Sequence, residues 1–185
     1  MARVPYIGKK DLSDEQQELI ESHTVRPGES LHVRQTLANN PPLLEAHHEY
    51  GSTVRGKNGL SIRQRELVIL TVAYELRSIY IWQQHVTFAC DRTLSKTEIE
   101  QVIEGEYSAF DDDVAALLNY ASAFATMSVT DDSHNELSAH YSDEDIVGIG
   151  VLVMNYVGLA HGTAGFGVEI EHDEFVGWNI ENSLL

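Results

Sequence analysis

Apolar residues recur along this 185-residue chain at helical spacing, and short polar segments divide the pattern into helix-sized pieces. Four of these segments pair a serine with a Gln, Glu or Asp three residues later, which satisfies free backbone groups at a helix N terminus. Their serines are Ser13, Ser61, Ser95 and Ser142. The sequence has no sustained alternation of apolar and polar residues, the pattern that predicts strands, and no hairpin signal. The pattern predicts an all-α fold, a compact bundle of six or more helices.

The predicted boundaries follow from capping residues, prolines and glycines. Asn39-Asn40-Pro41-Pro42 ends one helix and starts the next, and Gly56–Gly59 is a loop. The other predicted helices span Ser13 to about His23, Ser61 to Leu76, Ser78 onward, Ser95 to Gly105, Val114 to Met127, Asp132 to about His140, and Ser142 onward. The length suits a single domain over 1–185, with N-terminal helices in about 1–40, a core over 41–168 and an acidic tail over 169–185.

The segment from Ile146 to Val168 contains no charged side chain and is long enough to span a bilayer. Its glycines and its acidic flanks, which lack Lys and Arg, argue against that role. We predict a buried helix of the core or of a subunit contact. Gly158 and Gly162 lie on the same face of this helix and would allow the backbone of another helix to approach closely. The glycine-rich run 161–167 follows no predicted strand, so it indicates a helix end rather than a phosphate loop.

Charge is divided unevenly along the sequence. The chain has 12 Lys and Arg against 29 Asp and Glu, and all basic residues lie at or before Lys96. An acidic chain without a basic stripe is a poor binder of nucleic acid or of an anionic membrane, so we expect neither partner. The single cysteine, Cys90, cannot form an internal disulfide, and Met1–Lys10 has no apolar core typical of a secretory signal. A cytoplasmic location is expected.

The excess of acid also suggests an adaptation to salt. Residues 97–185 contain 18 acidic side chains and no Lys or Arg, so this half of the chain repels itself. Concentrated salt screens such repulsion, because the Debye length falls to roughly 3 Å at 1 M. We therefore hypothesise that the protein works in a salt-rich cytoplasm, as in a halophile.

An acid and a histidine are the candidate chemical groups. His85 is the only titratable side chain on a helix face that Ser78, Ile81 and Ala89 share, with Trp82 beside it. Glu66 stands among apolar residues on the preceding helix. Such a pair on packed helices is a candidate for proton transfer. The alternative is structural: a core histidine that only packs, and a glutamate that stabilises a helix start.

The central block resembles the carboxymuconolactone decarboxylase family, which includes the alkyl hydroperoxidase D-like proteins. Arg65-Glu66-Leu67-Val68-Ile69-Leu70 and Tyr80-Ile81-Trp82-Gln83-Gln84-His85-Val86 carry the resemblance. It implies an all-helical fold in homotrimers or larger rings, such as hexamers, and a site in which a glutamate and a histidine flank two cysteines. Glu66 and His85 have the required separation of nineteen residues. Ser78 and Ile81 occupy the two cysteine positions, so both thiols are missing.

This departure disfavours the family's thiol peroxidase chemistry, which needs a thiolate and a resolving thiol. The remaining hypothesis is a cysteine-independent lyase acting on a small lactone or carbonyl acid. His85 would be the general acid/base, Glu66 would orient it or share its proton, and Ser78 would assist. The candidates for substrate binding are Tyr80, Ile81, Trp82 and Arg77, with Arg63 and Arg65 as further candidates or as surface ion-pair partners. We expect no metal and no other cofactor. The alternative is a catalytically silent, homo-oligomeric member of the family.

Overall fold

The computed structural model describes residues 1–21 and 31–171, and among them the regular structure is helical throughout, without a strand. The α-helices are α1 (Asp14–Glu21), α2 (His32–Leu37), α3 (Pro41–Gly56), α4 (Ile62–Glu75), α5 (Ile79–Arg92), α6 (Lys96–Glu104), α7 (Asp112–Ala125), α8 (Asp131–Ser138) and α9 (Asp143–Phe166). Short 3₁₀ turns cover Lys9–Asp11 and Tyr107–Ala109. The predicted all-α fold is confirmed; the end of the first helix at His23 lies outside the described residues.

Helix starts and stops are set by the local signals that the sequence contains. The Ser61 hydroxyl accepts a hydrogen bond from the Gln64 amide at 3.2 Å, and Gln64 Oε1 accepts one from the Ser61 amide at 3.1 Å. The same reciprocal cap is present at Ser95 and Ser142, as predicted. Gly105 and Gly167 end α6 and α9 with φ values of 68° and 66°, the left-handed conformation that glycine adopts without strain.

Helix α4 is the centre of the bundle. Its residues from Leu67 to Ala73 are fully buried, and the helix packs against α5, α6, α7 and α9. A helix that is apolar on nearly every side must be surrounded, because exposing any face would leave hydrocarbon in water. Glu66, at the start of this apolar run, is therefore held inside the protein by the burial of its neighbours.

Helix α9 is the one helix of the described chain whose length and composition would allow it to cross a membrane. It packs against α3, α4, α5, α7 and α8, and Ile149, Leu152 and Val153 are fully buried. A core helix passes the same test of length and composition, and these contacts give α9 the core position predicted for it. Its outer side exposes Val147 and Met154.

Within the described chain, the close backbone approach along α9 is at Gly148 and not at Gly158 or Gly162; an approach from another subunit at these two glycines stays a prediction. A Cβ at position 148 would lie 2.5 Å from the carbonyl oxygen of Asn58, in the loop before α4. Around Gly158 no atom of the described chain lies within 4 Å of such a Cβ, and at Gly162 only the Phe166 ring does, at 3.9 Å. The spacing of the glycines identifies a face of small residues on α9. It does not show that the loop containing Asn58 contacts the helix at Gly148.

Candidate active site

Glu66 is a buried carboxylate whose two oxygens are both engaged. It lies in the first turns of α4 and is 2% exposed. Arg65 donates from Nε and Nη2 to Glu66 Oε1, each at 3.1 Å, and His85 Nδ1 lies 2.7 Å from Oε2. Burial by itself raises the pKa of this carboxyl, but His85 and Arg65 together reverse that effect and lower it. Glu66 is therefore ionised at neutral pH.

This contact fixes the tautomer of His85. An ionised carboxylate can only accept, so the neutral imidazole carries its proton on Nδ1 and donates it to Glu66. Among the described residues no group hydrogen-bonds to Nε2, which leaves that nitrogen for a ligand. The ring of Tyr156, from α9, meets the imidazole edge to face at 5.1 Å between centroids. Arg65 is itself held by a bond of 3.1 Å from Nη1 to the Arg55 carbonyl. The imidazole is thus oriented from two sides.

His85 and Glu66 line a cavity of about 400 Å³, which we call the main chamber. Its wall comes from the segment before α2 and from α2, α3, α4 and α5. The arginines that line it are Arg34, Arg55, Arg65 and Arg92. Within the described chain, Glu66 is the only acidic side chain on that wall. In a protein with a net charge of −17, the main chamber is a local concentration of positive charge.

A second cavity of about 90 Å³, the side chamber, adjoins the main chamber. The two share five wall residues: Leu31, Arg34, Arg55, Gln84 and His85. The remainder of the side chamber is mostly hydrocarbon and aromatic rings, contributed by Leu37, Leu44, Tyr80, Ile81, Tyr156 and Leu159. His85 therefore lies where a cationic space meets a mainly apolar one.

The positive field of these chambers acts on the groups around them. Burial and the neighbouring Arg55 lower the pKa of Arg34 to about 10. Burial, followed by the charges of Arg34 and Arg55, also lowers the pKa values of His47 and His48. Burial raises the pKa of Tyr156 to about 12, against the opposing effect of the nearby Arg55 charge. The lowered values share one physical origin beyond burial, the proximity of two cations inside the protein.

The other predicted site residues lie in different surroundings. Tyr80 and Ile81 line the side chamber. Ser78 is the N-cap of α5, where its hydroxyl accepts from the Ile81 amide at 3.4 Å, and it is not on the wall of either chamber. Trp82 is fully buried in the core, 6.2 Å from Tyr74 between ring centroids, and is not on the wall of either chamber. The structure therefore does not bring Trp82 or Ser78 together with His85 at the chambers, and Ser78 caps α5.

Arg77 and Arg63 also lie outside the chambers. Arg77 closes the turn between α4 and α5 with a left-handed φ of 53°, and its guanidinium lies 4.6 Å from the Tyr74 ring centroid. Arg77 is not on the wall of either chamber, so the structure does not bring it together with His85. Arg63 pairs with Glu98 at 2.6 Å, joining α4 to α6. The surface ion-pair alternative is the one realised for Arg63.

Tyr80 connects the chambers to the end of the described chain. Its hydroxyl donates to Glu171 Oε1 at 2.7 Å and accepts from the Val33 amide at 3.2 Å. Glu171 also accepts from the His32 amide at 2.7 Å and from Gln84. One carboxylate therefore fastens α2, which carries Arg34, to α5, which carries His85.

Sequence reasoning missed Arg34, Arg55, Arg92 and Tyr156. One signal was available: every arginine lies in the first half of the chain, where the motif is, although the chain as a whole is acidic. Spacing could not show which of them meet, because Arg34 and Arg55 come from different helices. In residues 1–21 and 31–171 no group of three or more His, Cys, Asp or Glu side chains could hold a metal ion.

The carboxymuconolactone decarboxylase family model matches residues 41–127, from the start of α3 to just beyond α7, and this range includes Glu66 and His85. Residues 41–127, which are 87 of the chain's 185 residues, belong to that family. No curated protein matches its sequence. The family membership agrees with the resemblance of the central motif, and it places the Glu66–His85 pair in the matched region.

Solved structures share the fold at low sequence identity. The debrominase Bmp8 is 15% identical, with 91% of each chain covered and a TM-score of 0.81. An uncharacterised peroxidase-related protein from Ralstonia eutropha JMP134, described as an alkylhydroperoxidase AhpD core, is 19% identical, with 94% of each chain covered and a TM-score of 0.74. The protein ATU0492 from Agrobacterium tumefaciens, of unknown function, is 23% identical; the match covers 74% of this chain and 96% of that one, with a TM-score of 0.69. At these identities the likeness concerns the fold.

Proposed function

We propose that this family member is a cysteine-independent acid/base enzyme, a lyase acting on a small lactone or carbonyl acid. The observation that carries the proposal is the contact of 2.7 Å between His85 Nδ1 and Glu66 Oε2 on the wall of an open chamber. A base whose second nitrogen is held by a buried carboxylate is the arrangement that orients a proton-transfer group. The arginines of the same wall supply charge for a carboxylate of the substrate.

The proposed chemistry uses Nε2 of His85. In a decarboxylation, the bond between the substrate carbon and its carboxylate breaks, and the conjugated carbonyl takes up the electron pair as carbon dioxide leaves. The imidazolium form of His85 then gives its proton to that carbon and regains one from water. Glu66 stabilises the imidazolium through Nδ1, and Arg65 keeps the carboxylate in place. Each turnover releases one carbon dioxide and adds one proton to the substrate carbon, so the step needs neither an oxidant nor a reductant.

A thiol mechanism has less support. Ser78 and Ile81 occupy the motif positions of the cysteines, and Cys90 is not on the wall of either chamber. Burial, with the adjacent Asp91, raises the pKa of the Cys90 thiol, so the reactive thiolate is scarce at neutral pH. A silent relative is also less well supported, because Trp82 lies in the core and His85 lines a cavity of about 400 Å³.

Proton exchange tests the proposal directly. The protein is incubated in D₂O with a panel of small oxo acids and lactone acids, and nuclear magnetic resonance follows deuterium entry beside the carbonyl and loss of the carboxylate. Wild type should catalyse one of these reactions, and His85→Gln should lose about 100-fold or more of the rate. His134→Gln, a surface histidine on α8, is the matched control. Absence of any reaction across the panel, or full activity of His85→Gln, would contradict the proposal.

A further inference from the structure

The adjoining chambers differ in chemistry, and that difference bears on which molecules fit. The main chamber carries four arginines and one carboxylate. The side chamber shares Arg34 and Arg55 at the junction and also has His47, His48 and Asn155, but the rest of its wall is mainly hydrocarbon and aromatic rings. His85, Gln84 and Arg55 belong to both walls. A ligand with its reactive carbon at His85 would therefore have one part among cations and another among apolar side chains. The inference drawn from this division rests on the proposed function, which puts the reacting carbon at His85.

The cations of the main chamber are not neutralised equally. Arg65 is engaged by Glu66. Among the described residues, no acidic side chain forms an ion pair with Arg55 or Arg92; Arg92 lies 5.6 Å from the Phe88 ring centroid. Arg55 is half-buried and Arg92 is exposed, so two like charges meet on this wall, an arrangement that an anion would offset. On the same wall, the buried Ser52 hydroxyl has no hydrogen-bond partner in the described chain.

The side chamber offers the opposite environment. Leu44 and Tyr156 are almost completely buried, and Ile81 is 4% exposed. The polar hydroxyl of Tyr80 is already engaged with Glu171 and the Val33 amide, so it adds little demand for a polar ligand group. Small apolar spaces of this kind gain stability when they are filled by hydrocarbon, because their lining atoms otherwise lack contacts.

We propose that the two chambers together select a carboxylic acid with a short unbranched apolar chain: the carboxylate binds at Arg55 and Arg92, and the chain enters the side chamber. In this arrangement Ile81 is the residue that sets the accepted chain length, because it forms the side-chamber wall on the helix that also carries His85. Arg55 and Arg92 set the requirement for an anion. The substrate class is thus a short-chain oxo acid or a lactone acid with a short alkyl substituent.

Direct binding tests this inference separately from turnover. Isothermal titration calorimetry would measure the affinity for freshly prepared straight-chain 3-oxo acids of increasing length, with the primary amides of the same lengths as uncharged probes. Affinity should rise about three- to fourfold for each methylene until the side chamber is filled, and then fall. The amides should bind at least about tenfold more weakly at every length.

The variants separate the two chambers. Ile81→Ala should move the preferred length upward by a carbon or more, and Leu159→Ala, elsewhere on the side-chamber wall, should do the same if Ile81→Ala does not fold. Arg92→Gln, on an exposed side chain, should weaken every acid about tenfold without changing the preferred length. Ile103→Ala removes the same volume from α6 outside the chambers, and Arg77→Gln removes an outside charge; both should bind like wild type.

Each outcome is decisive for this inference. Affinity that does not depend on chain length, or a preferred length that is unchanged in both Ile81→Ala and Leu159→Ala, would overturn it. Equal binding of acids and amides would overturn the assignment to Arg55 and Arg92. The proposed function fails by a different result: His85→Gln would then keep both turnover and the wild-type length preference, whereas loss of turnover with unchanged binding supports both proposals.

Discussion

Glu66 and His85, nineteen residues apart on the neighbouring helices α4 and α5, meet at 2.7 Å between Oε2 and Nδ1. The same carboxylate is held by Arg65 through its other oxygen. Because Glu66 is buried and ionised, it can only accept, and the proton of the neutral imidazole is therefore on Nδ1. His85 becomes a base that faces the main chamber through Nε2, and its orientation depends on Glu66, Arg65 and Tyr156.

The first prediction concerns that proton. Neutral His85 should carry it on Nδ1, because the ionised Glu66 can only accept. Long-range ¹H–¹⁵N correlation spectra distinguish the two tautomers. His161 is an internal reference, since its Nδ1 lies 2.8 Å from the carbonyl oxygen of Val157, which also can only accept. A spectrum in which His85 is protonated on Nε2 while His161 is protonated on Nδ1 would refute this orientation of the imidazole.

The second prediction concerns stability and pH. The folded pKa of Glu66 lies below its ordinary value of 4.5, so its ionised form stabilises the fold above that pH. This contribution is lost as the pH falls through the lower, folded pKa. Glu66→Gln should cost about 2 kcal/mol near neutral pH, and the difference from wild type should shrink in acid. Urea unfolding at a series of pH values measures it.

Glu100→Gln is the control for that series, because Glu100 is half exposed and pairs with Lys96 at the surface, at 3.5 Å. Its effect on the free energy of unfolding should stay within about 0.5 kcal/mol at every pH. If Glu66→Gln were equally silent near neutral pH, the ionised pair would contribute nothing to folding and its proposed electrostatic role would lose its basis.

The third prediction uses two glycines of α9. Gly148→Ala places a methyl group 2.5 Å from the Asn58 carbonyl oxygen, so the loop must move, at a cost of about 1–3 kcal/mol. Gly158→Ala meets no described atom within 4 Å and should stabilise the helix by about 0.5–1 kcal/mol, because alanine restricts the unfolded chain. Thermal and chemical unfolding compare them; effects of the same sign would contradict the packing of α9 on this loop.

The fourth prediction follows from the 18 acidic side chains of residues 97–185. Their mutual repulsion extends over roughly 30 Å at 0.01 M salt and roughly 3 Å at 1 M. Dialysis from concentrated into dilute salt should therefore lower the melting temperature. A melting temperature that stays constant would end the hypothesis of a salt-rich cytoplasm.

The parts of the fold that the sequence predicts are those decided within a few residues. A capping box such as Ser61 with Gln64 joins side chain to backbone in one turn, and Gly105 ends α6 through its own φ. These interactions form wherever the helices pack. The predicted boundaries of α4, α6 and α9 therefore agree with the structure to within about two residues, which is the ordinary scatter of helix ends.

The candidate site needed information beyond local spacing. Glu66 and His85 were accessible through the family motif, but Arg34, Arg55 and Tyr156 reach the surroundings of His85 only through the way α2, α3 and α9 pack around α5. Arg77 lies outside both chambers for the opposite reason. Its place in the sequence is adjacent to the motif, yet the left-handed turn between the helices directs it toward Tyr74.

The central claim, that this site works through an imidazole and not through a thiol, is tested most directly by one rate comparison. The rate of solvent deuterium entry into the preferred oxo acid or lactone acid is measured for wild type, Cys90→Ala and His85→Gln. Cys90→Ala should match wild type, and His85→Gln should lose about 100-fold or more. Activity that survives in His85→Gln and disappears in Cys90→Ala would contradict an imidazole mechanism.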